Sequence, residues 1–311
     1  MRRFTLVAAM FLLAATGARA DGSGALASVS SLDAASRARV ESSIAQARAR
    51  EPGTFDAVRS IVARADGLDR RKQGRFVAMA PILRGVARGH AGSAMALLEP
   101  IVAPERFALP TRDSARIALR AGLIEAAGDQ KDPSAAPVYR AILASGSEFF
   151  ELRAAADALG KIASDSDVAM LSSLATTPGP KQDAVIAGLG SCRRVAAAHA
   201  LASIASQGKT GMAAIQLLRS LSAMGSAWTL QTAPAAEAPA IRETTARAAF
   251  AIFVATREDD VRNEAATALV VIDHPDAPQW ALTAKSSASP ELASALDVLA
   301  RRLTHNATRT R

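Results

Sequence analysis

The chain has 311 residues, a formal net charge of +8 and a hydrophobic share of 50%. This length allows one large repeat domain, or two ordinary domains, with a sizeable buried core. The basic residues are interspersed with acids and form no block of five or six, which argues against a nucleic-acid-binding protein. Because Cys192 is the single cysteine, an internal disulfide is excluded and packing alone must supply stability.

Residues 1–20 are typical of a secretory signal peptide. Two arginines precede an apolar run, and Ala18 and Ala20 are the small residues that a signal peptidase recognises. The alternative is a membrane anchor, but the run is shorter than the roughly 20 residues that a span needs. We therefore expect the first 20 residues to be removed.

Because a cleaved signal peptide directs a chain across the membrane, we expect an exported protein. The chain is rich in Ala and in Arg relative to Lys, as proteins from GC-rich bacterial genomes are, so the expected destination is the periplasm or the space beyond it. Residues 21–31, mostly Gly, Ser and Ala, are expected to form a flexible leader. No later run is long enough to cross a bilayer, so no transmembrane segment is expected in the mature chain.

From residue 32 onwards, apolar and Ala positions recur at helical spacing, without the alternation of β-strands. Residues 32–68 predict N-terminal capping helices, interrupted at Pro52-Gly53. Residues 69–304 predict a repeat domain of helix pairs, and residues 305–311 a disordered tail. The helices expected in the repeat domain span 74–88, 93–102, 111–127, 135–144, 148–163, 167–176, 182–189, 192–206, 211–223, 241–255, 259–272, 277–285 and 290–303.

Prolines mark the expected interruptions of this all-α pattern. Pro81 predicts a kink within its helix, and Pro100 an early end to the next one. The segment 225–239 contains two prolines and little periodicity, so we expect a longer loop there. The short helix 182–189 is expected to be an extra element outside the pairs.

An Ala-Leu motif recurs along the chain. Ala158-Leu159, Ala200-Leu201 and Ala268-Leu269 each follow an Ala-Ala pair and precede an isoleucine. Ile82-Leu83 and Gly122-Leu123 are weaker copies. The leucines lie about 40, 36, 42 and 68 residues apart, and the last gap indicates an irregular insert. A period near 40 predicts an α-solenoid of stacked antiparallel helix pairs.

The segment Val261 to Ile272 carries a family resemblance. It matches every fixed position of Val-Arg-x-x-Ala-Ala-x-Ala-Leu-x-x-Ile, the first helix of bacterial HEAT-like repeats, and segments 152–162 and 194–204 match less fully. Over roughly residues 70–300 the chain therefore resembles the HEAT-repeat family of armadillo-type α-solenoids. The resemblance implies a curved solenoid whose concave face often binds a protein partner, and some relatives resemble bilin lyases. The tetratricopeptide period of about 34 fits less well.

The sequence indicates no catalytic, cofactor-binding or metal-binding residue, so we expect a protein that is not an enzyme. Its four histidines lack zinc-ligand spacing. Cys192 and His199 would share a face of one continuous helix, but about 10 Å apart along its axis, too far for a nucleophile pair. The acidic run 258–260 could bind a metal, but its place before a helix favours capping of free amide groups.

Trp228 is the candidate partner-binding residue. It falls in the expected loop 225–239, where an exposed aromatic side chain could anchor a protein partner, although it could also fold back over the neighbouring helices. The predicted function is an exported HEAT-like protein-binding or scaffold module of the cell envelope. Two alternatives stay open: a lyase-like or accessory HEAT protein that serves an enzyme, and an envelope protein that binds an anionic lipid or polymer.

Overall fold

The computed structural model describes residues 31–70, 79–88, 90 and 92–306, without the side chains of 69 and 70. All regular structure within these ranges is helical, which confirms the all-α prediction. None of the described helices is both long and apolar enough to span a membrane. The expected signal peptide, nearly all of the leader and tail, and the first part of the expected helix 74–88 lie outside the described residues.

Fifteen α-helices make up the described fold. They are α1 (Ala34–Arg50), α2 (Pro52–Arg70), α3 (Ala80–Ala87), α4 (Ser93–Val102), α5 (Asp113–Gly128), α6 (Ala136–Ser145), α7 (Phe149–Ile162), α8 (Asp165–Thr176), α9 (Gln182–Leu189), α10 (Val195–Ala205), α11 (Gly211–Gly225), α12 (Ala238–Ala255), α13 (Asp259–Ile272), α14 (Ala277–Lys285) and α15 (Pro290–Thr304).

Three prolines act differently from the sequence expectation. A break of one residue, Glu51, separates α1 from α2. Pro52 is not part of that break but the first residue of α2. Pro81 lies in the first turn of α3, where its missing N–H group leaves no helical hydrogen bond unmade. Pro100 lies inside α4 without ending it. All ten residues of α4 are buried, so tertiary packing holds the helix together past the proline.

The helices pack in two series. The odd-numbered helices form the odd series, and the even-numbered helices form the even series. Each odd helix from α3 to α13 contacts the next odd helix, up to α15. In the even series, α8 contacts α10 and α10 contacts α12. Each even helix from α4 to α14 also contacts the odd helix that follows it, so the two series lie against one another along the chain.

This packing shows that the copies of the Ala-Leu motif do not all lie in equivalent helices. Leu159 of α7 and Leu269 of α13 lie in the odd series, whereas Leu201 of α10 lies in the even series. The expected extra helix is α9, which holds the odd position between α7 and α11. Three steps along the odd series, each of about 37 residues, therefore lead from α7 to α13. The gap of 68 residues between Leu201 and Leu269 joins an even helix to an odd one, so it needs no irregular insert. The motif marks a small-residue face, which both series need for close packing.

Glycines on both sides of α7 bring its neighbours unusually close. A Cβ atom added to Gly128 of α5 would lie 2.5 Å from the Ala158 Cβ atom, and one added to Gly188 of α9 would lie 2.4 Å from the Ala156 Cβ atom. The alanine-rich middle of α7 is thus in contact on both sides with residues that lack a Cβ atom. One buried hydrophobic cluster extends from Leu32 to Leu303 through these contacts.

Candidate functional site

The carboxyl-terminal ends of α5, α7 and α9 lie side by side at one edge of the fold. Asp129, directly after α5, accepts a hydrogen bond of 2.5 Å from the Lys161 Nζ atom in the last turn of α7. Asp157 of α7 accepts a hydrogen bond from Ser191, just after α9. The segment between α11 and α12 lies at the same edge. Its residues Thr232, Pro234 and Glu237 border the same cavity as Lys161.

The cavity at this edge, called the edge cavity below, has a volume of about 530 Å³. Its walls come from the turn after α5, the end of α7, the α9–α10 connection and the segment before α12. The lining residues are Lys131, Gly160, Lys161, Ile162, Ala163, Ser191, Arg193, Arg194, Thr232, Pro234 and Glu237.

Lys161 is held by two carboxylates. Its Nζ atom lies 2.5 Å from an oxygen of Asp129 and 2.5 Å from an oxygen of Asp157. Burial alone would lower the pKa of Lys161, but the charge of Asp157 and the hydrogen bond to Asp129 outweigh it and raise the pKa. Burial likewise works against ionised Asp129, yet its hydrogen bonds with Lys161 and Arg84 hold its pKa below the usual value. Both partners are therefore charged at neutral pH.

Arg194 is also held by two carboxylates. Its guanidinium group lies 2.7 Å from Asp165 and 2.8 Å from Glu237, and these hydrogen bonds raise its pKa. Arg194 also donates to the carbonyl oxygen of Ala163, the residue directly after α7, at 3.0 Å. The second oxygen of Glu237 accepts the backbone N–H of Val195 at 2.7 Å. Glu237 therefore caps α10 from outside that helix.

Arg193 and Lys131 differ from these two cations, because neither forms an ion pair among the described residues. Arg193 donates from its Nη1 atom to the carbonyl oxygens of Gly190, at 2.7 Å, and Cys192, at 3.2 Å. Its Nε atom is buried and has no hydrogen-bond partner there. Burial lowers the pKa of Arg193. Lys131 is exposed and adopts a left-handed backbone, with φ at 52°.

The sequence alone gives only a partial indication of this group of residues. Gly188 and Gly190 do indicate the end of a helix, and cations favour helix carboxyl ends, which carry partial negative charge. That signal places Arg193 and Arg194 near α9. It could not place Glu237 opposite them, because 42 residues separate Glu237 from Val195 in the chain.

Cys192 and His199 do not form a reactive pair. Helix α10 begins at Val195, so Cys192 precedes the helix and the two residues share no helical face. Cys192 is fully buried, and burial raises the pKa of its thiol to about 11. His199 is exposed.

This environment predicts a thiol that alkylating reagents modify very slowly. At pH 8 the folded chain should react with iodoacetamide far more slowly than the chain unfolded in urea, because the thiolate is the nucleophile. Mass spectrometry of Cys192 over time would measure both rates. Rapid labelling of the folded chain would show that this thiol is accessible and activated.

The acidic run 258–260 divides between two helices: Asp259 and Asp260 lie in the first turn of α13, as expected, whereas Glu258 acts elsewhere. Glu258 precedes α13, yet its carboxylate accepts the backbone N–H of Gly211, the first residue of α11, at 3.0 Å. Asp66 similarly accepts the backbone N–H of Thr111, near the start of α5, at 2.9 Å. Within the described ranges, no three His, Cys, Asp or Glu side chains come together as a metal site.

Trp228 lies on the segment between α11 and α12, and 62% of its surface is exposed. This segment contains a short 3-10 helix, Thr229–Thr232, in place of part of the expected loop. Within this 3-10 helix Leu230 is buried, and the Thr229 hydroxyl donates to backbone oxygens at the end of α11. The segment is therefore anchored, and most of the indole surface is exposed to solvent.

The second tryptophan, Trp280, is half-buried in α14 and packs against two neighbouring side chains. Its ring stacks on His274 with centroids 4.7 Å apart, and the guanidinium of Arg247 lies 3.9 Å from its centroid on a cation–π contact. This cluster joins α12 to α14 and explains the half-buried state of Trp280.

The site and fold thus define a layered all-α protein with a basic edge cavity and an exposed tryptophan on the segment between α11 and α12. Comparisons of the chain with protein-family models, curated proteins and solved structures gave no match. What the protein does must therefore be argued from its own residues.

Proposed function

We propose that this protein is an exported HEAT-like α-solenoid that acts as a protein-binding or scaffold module in the cell envelope. The packing of each odd helix on the next odd helix supports the solenoid, because stacked repeats bury apolar surface that one helix pair cannot bury alone. The matching segment Val261 to Ile272 supports the HEAT-like type. The apolar start of residues 1–20 supports export.

The observation that carries the binding function is the exposed indole of Trp228 on an anchored segment. Tryptophan is enriched among the interface residues that contribute most to binding energy, since it buries a large area with few rotatable bonds. Because Leu230 and Thr229 already fix this segment, binding through Trp228 would lose little conformational entropy. We assign Trp228 the role of anchor for a protein partner.

The alternatives receive less support. A lyase-like protein would need a reactive group in a cleft, and Cys192 is buried away from His199. An envelope protein that binds an anionic lipid or polymer would need unpaired arginines on one surface. Many of the arginines are instead held by carboxylates or helix-end carbonyls, as Arg194 and Arg242 are. The accessory role in an enzyme complex remains a form of protein binding.

The test is a crosslinking pull-down from envelope extract with the chain from residue 21 onwards as bait. A Trp228→Ala variant should capture the specific partner at least about tenfold less well, as expected for loss of an interface anchor. Met212→Ala is the matched control, since Met212 is 71% exposed at the other end of α11 and its loss should leave capture unchanged.

Both variants must first show the circular dichroism and thermal midpoint of the natural chain. A partner identified by mass spectrometry and lost only with Trp228→Ala would support the proposal. The absence of any specific partner, or equal capture by Trp228→Ala, would overturn the assignment of Trp228.

A further inference from the structure

We propose that the edge cavity is a binding site for an oxyanion, a carboxylate or phosphate group held by Arg193 and Lys131. This proposal goes beyond protein binding by Trp228 and does not depend on it. Trp228 is not among the residues that line the cavity.

The first argument is the balance of charge around the cavity. Four cations line it, against the single carboxylate of Glu237. Lys161 and Arg194 are neutralised, because each contacts two carboxylates at 2.5–2.8 Å. Arg193 and Lys131 form no ion pair with a carboxylate among the described residues, although the charge of Asp157 acts on Arg193 from beyond contact distance, so a ligand could supply the closest counter-charge to both.

The second argument is the way in which Arg193 is held. Its Nη1 atom is anchored by two backbone oxygens, while its Nε–H group is buried and has no acceptor among the described residues. A buried donor without an acceptor destabilises a fold, so such groups are rare in native proteins. In the proposed complex the guanidinium turns so that Nε–H and Nη2–H together face two oxygens of one ligand. This paired geometry is the one that arginine uses for carboxylates and phosphates.

The third argument is the carboxylate that the chain itself places at the cavity. Glu237 binds Arg194 at 2.8 Å and the Val195 N–H at 2.7 Å, both ordinary charge-assisted distances. One wall therefore already holds an oxyanion of the chain. The volume of about 530 Å³ far exceeds that of one phosphate and lies within the range of small-molecule sites. Ile162 and Pro234 supply apolar wall, so the site suits an organic anion as well as inorganic phosphate.

Calorimetric titration of the full chain would test this, with citrate, inorganic phosphate and a hexaglutamate peptide as separate probes. Sodium chloride must hold the ionic strength constant, because exposed charges are screened within about 8 Å at physiological ionic strength. We expect saturable binding of at least one probe. Citrate or phosphate binding would identify a free small anion as the source, and binding of the peptide alone would identify carboxylates of a partner protein.

Two variants locate the site. Arg193→Gln should weaken binding about tenfold or more, since it removes a charged donor, and Lys131→Gln should weaken it several-fold. Because Arg193 also binds two backbone oxygens, Lys131→Gln serves as the variant that leaves the fold undisturbed. The control is Arg257→Gln, which removes the same charge from an exposed position between α12 and α13 and should bind as the natural chain does.

The proposal is overturned if no probe binds saturably to the folded natural chain at up to tens of millimolar. It is equally overturned if Lys131→Gln and folded Arg193→Gln both bind as tightly as the natural chain. Equal weakening by Arg257→Gln would indicate attraction to net charge alone and would also exclude a site in the edge cavity.

Discussion

A Gly188→Ala variant is expected to unfold with a free energy about 2–3 kcal/mol lower than that of the natural chain, because the new methyl group overpacks a close helix contact. This result would reverse the usual effect, since alanine in a helix is favoured over glycine by about 0.5–1 kcal/mol. The added Cβ atom would lie 2.4 Å from the Ala156 Cβ atom and 2.7 Å from the backbone nitrogen of Asp157. Neither atom is the end of a flexible side chain, so one helix must move.

The loss should also exceed that of an ordinary surface substitution because of where Gly188 lies. Helix α9 is short, spanning Gln182–Leu189, and contacts both α7 and α11. A shift of α9 away from α7 would open the α7–α9 contact and disturb the packing of α9 on α11. Because the added methyl group is also close to the Asp157 backbone, the shift would disturb the hydrogen bond of Asp157 with Ser191 near the edge cavity.

The matched control is Gly67→Ala in α2, where an added Cβ atom would meet no atom within 4 Å. That variant should gain about 0.5–1 kcal/mol from helix propensity alone. Urea unfolding followed by circular dichroism would measure both changes, provided that the slopes of the transitions agree. A Gly188→Ala variant as stable as Gly67→Ala would show that α7 and α9 are not in close contact.

The local features of the fold were predictable because they depend on neighbouring residues. The sequence placed helices 182–189, 259–272 and 277–285 at their observed bounds, since caps, glycines and prolines determine where a helix begins and ends. The series to which each helix belongs was not predictable. Ala-Leu motifs occur in α7, α10 and α13, but only contacts with distant helices separate the even α10 from the odd α7 and α13.

The candidate site was predictable only in part for the same reason. Trp228 could be singled out, because one rare side chain in a segment without periodicity is visible in the sequence. The edge cavity could not, because it depends on residues that lie far apart in the chain and meet only when the ends of α5, α7 and α9 align. The pairing of Arg120 with Glu151 was hidden too, although an arginine within the apolar run of α5 does indicate an unusual environment.

A Glu151→Gln variant is expected to lose about 3–5 kcal/mol of unfolding free energy, because breaking a buried ion pair from one side removes the charge of Glu151 that compensates buried Arg120. Arg120 and Glu151 have side-chain exposures of 4% and 5%, and they join α5 to α7 by two hydrogen bonds of 2.7 and 3.0 Å. Glutamine keeps the shape of the side chain and removes its charge. The change therefore measures electrostatics with little change in packing.

The control pair lies one to two turns before Arg120 on the same helix. Arg116 contacts Asp113, whose side chain is 79% exposed, and exposed ion pairs contribute about 0–1 kcal/mol. An Asp113→Asn variant should therefore unfold almost as the natural chain does. Equal losses in the two variants would mean that water reaches Arg120 and Glu151, in contradiction of their burial between α5 and α7.

A double variant, Arg120→Met with Glu151→Met, separates the value of the pair from the penalty of breaking it. Replacing both members of a buried pair with apolar residues of similar volume is often neutral or stabilising, because neither charge then loses its hydration. We expect the double variant to recover most of the stability lost in Glu151→Gln. If it is instead the least stable of the three, the pair contributes net stability to the α5–α7 contact, and its charges cannot be replaced by apolar packing.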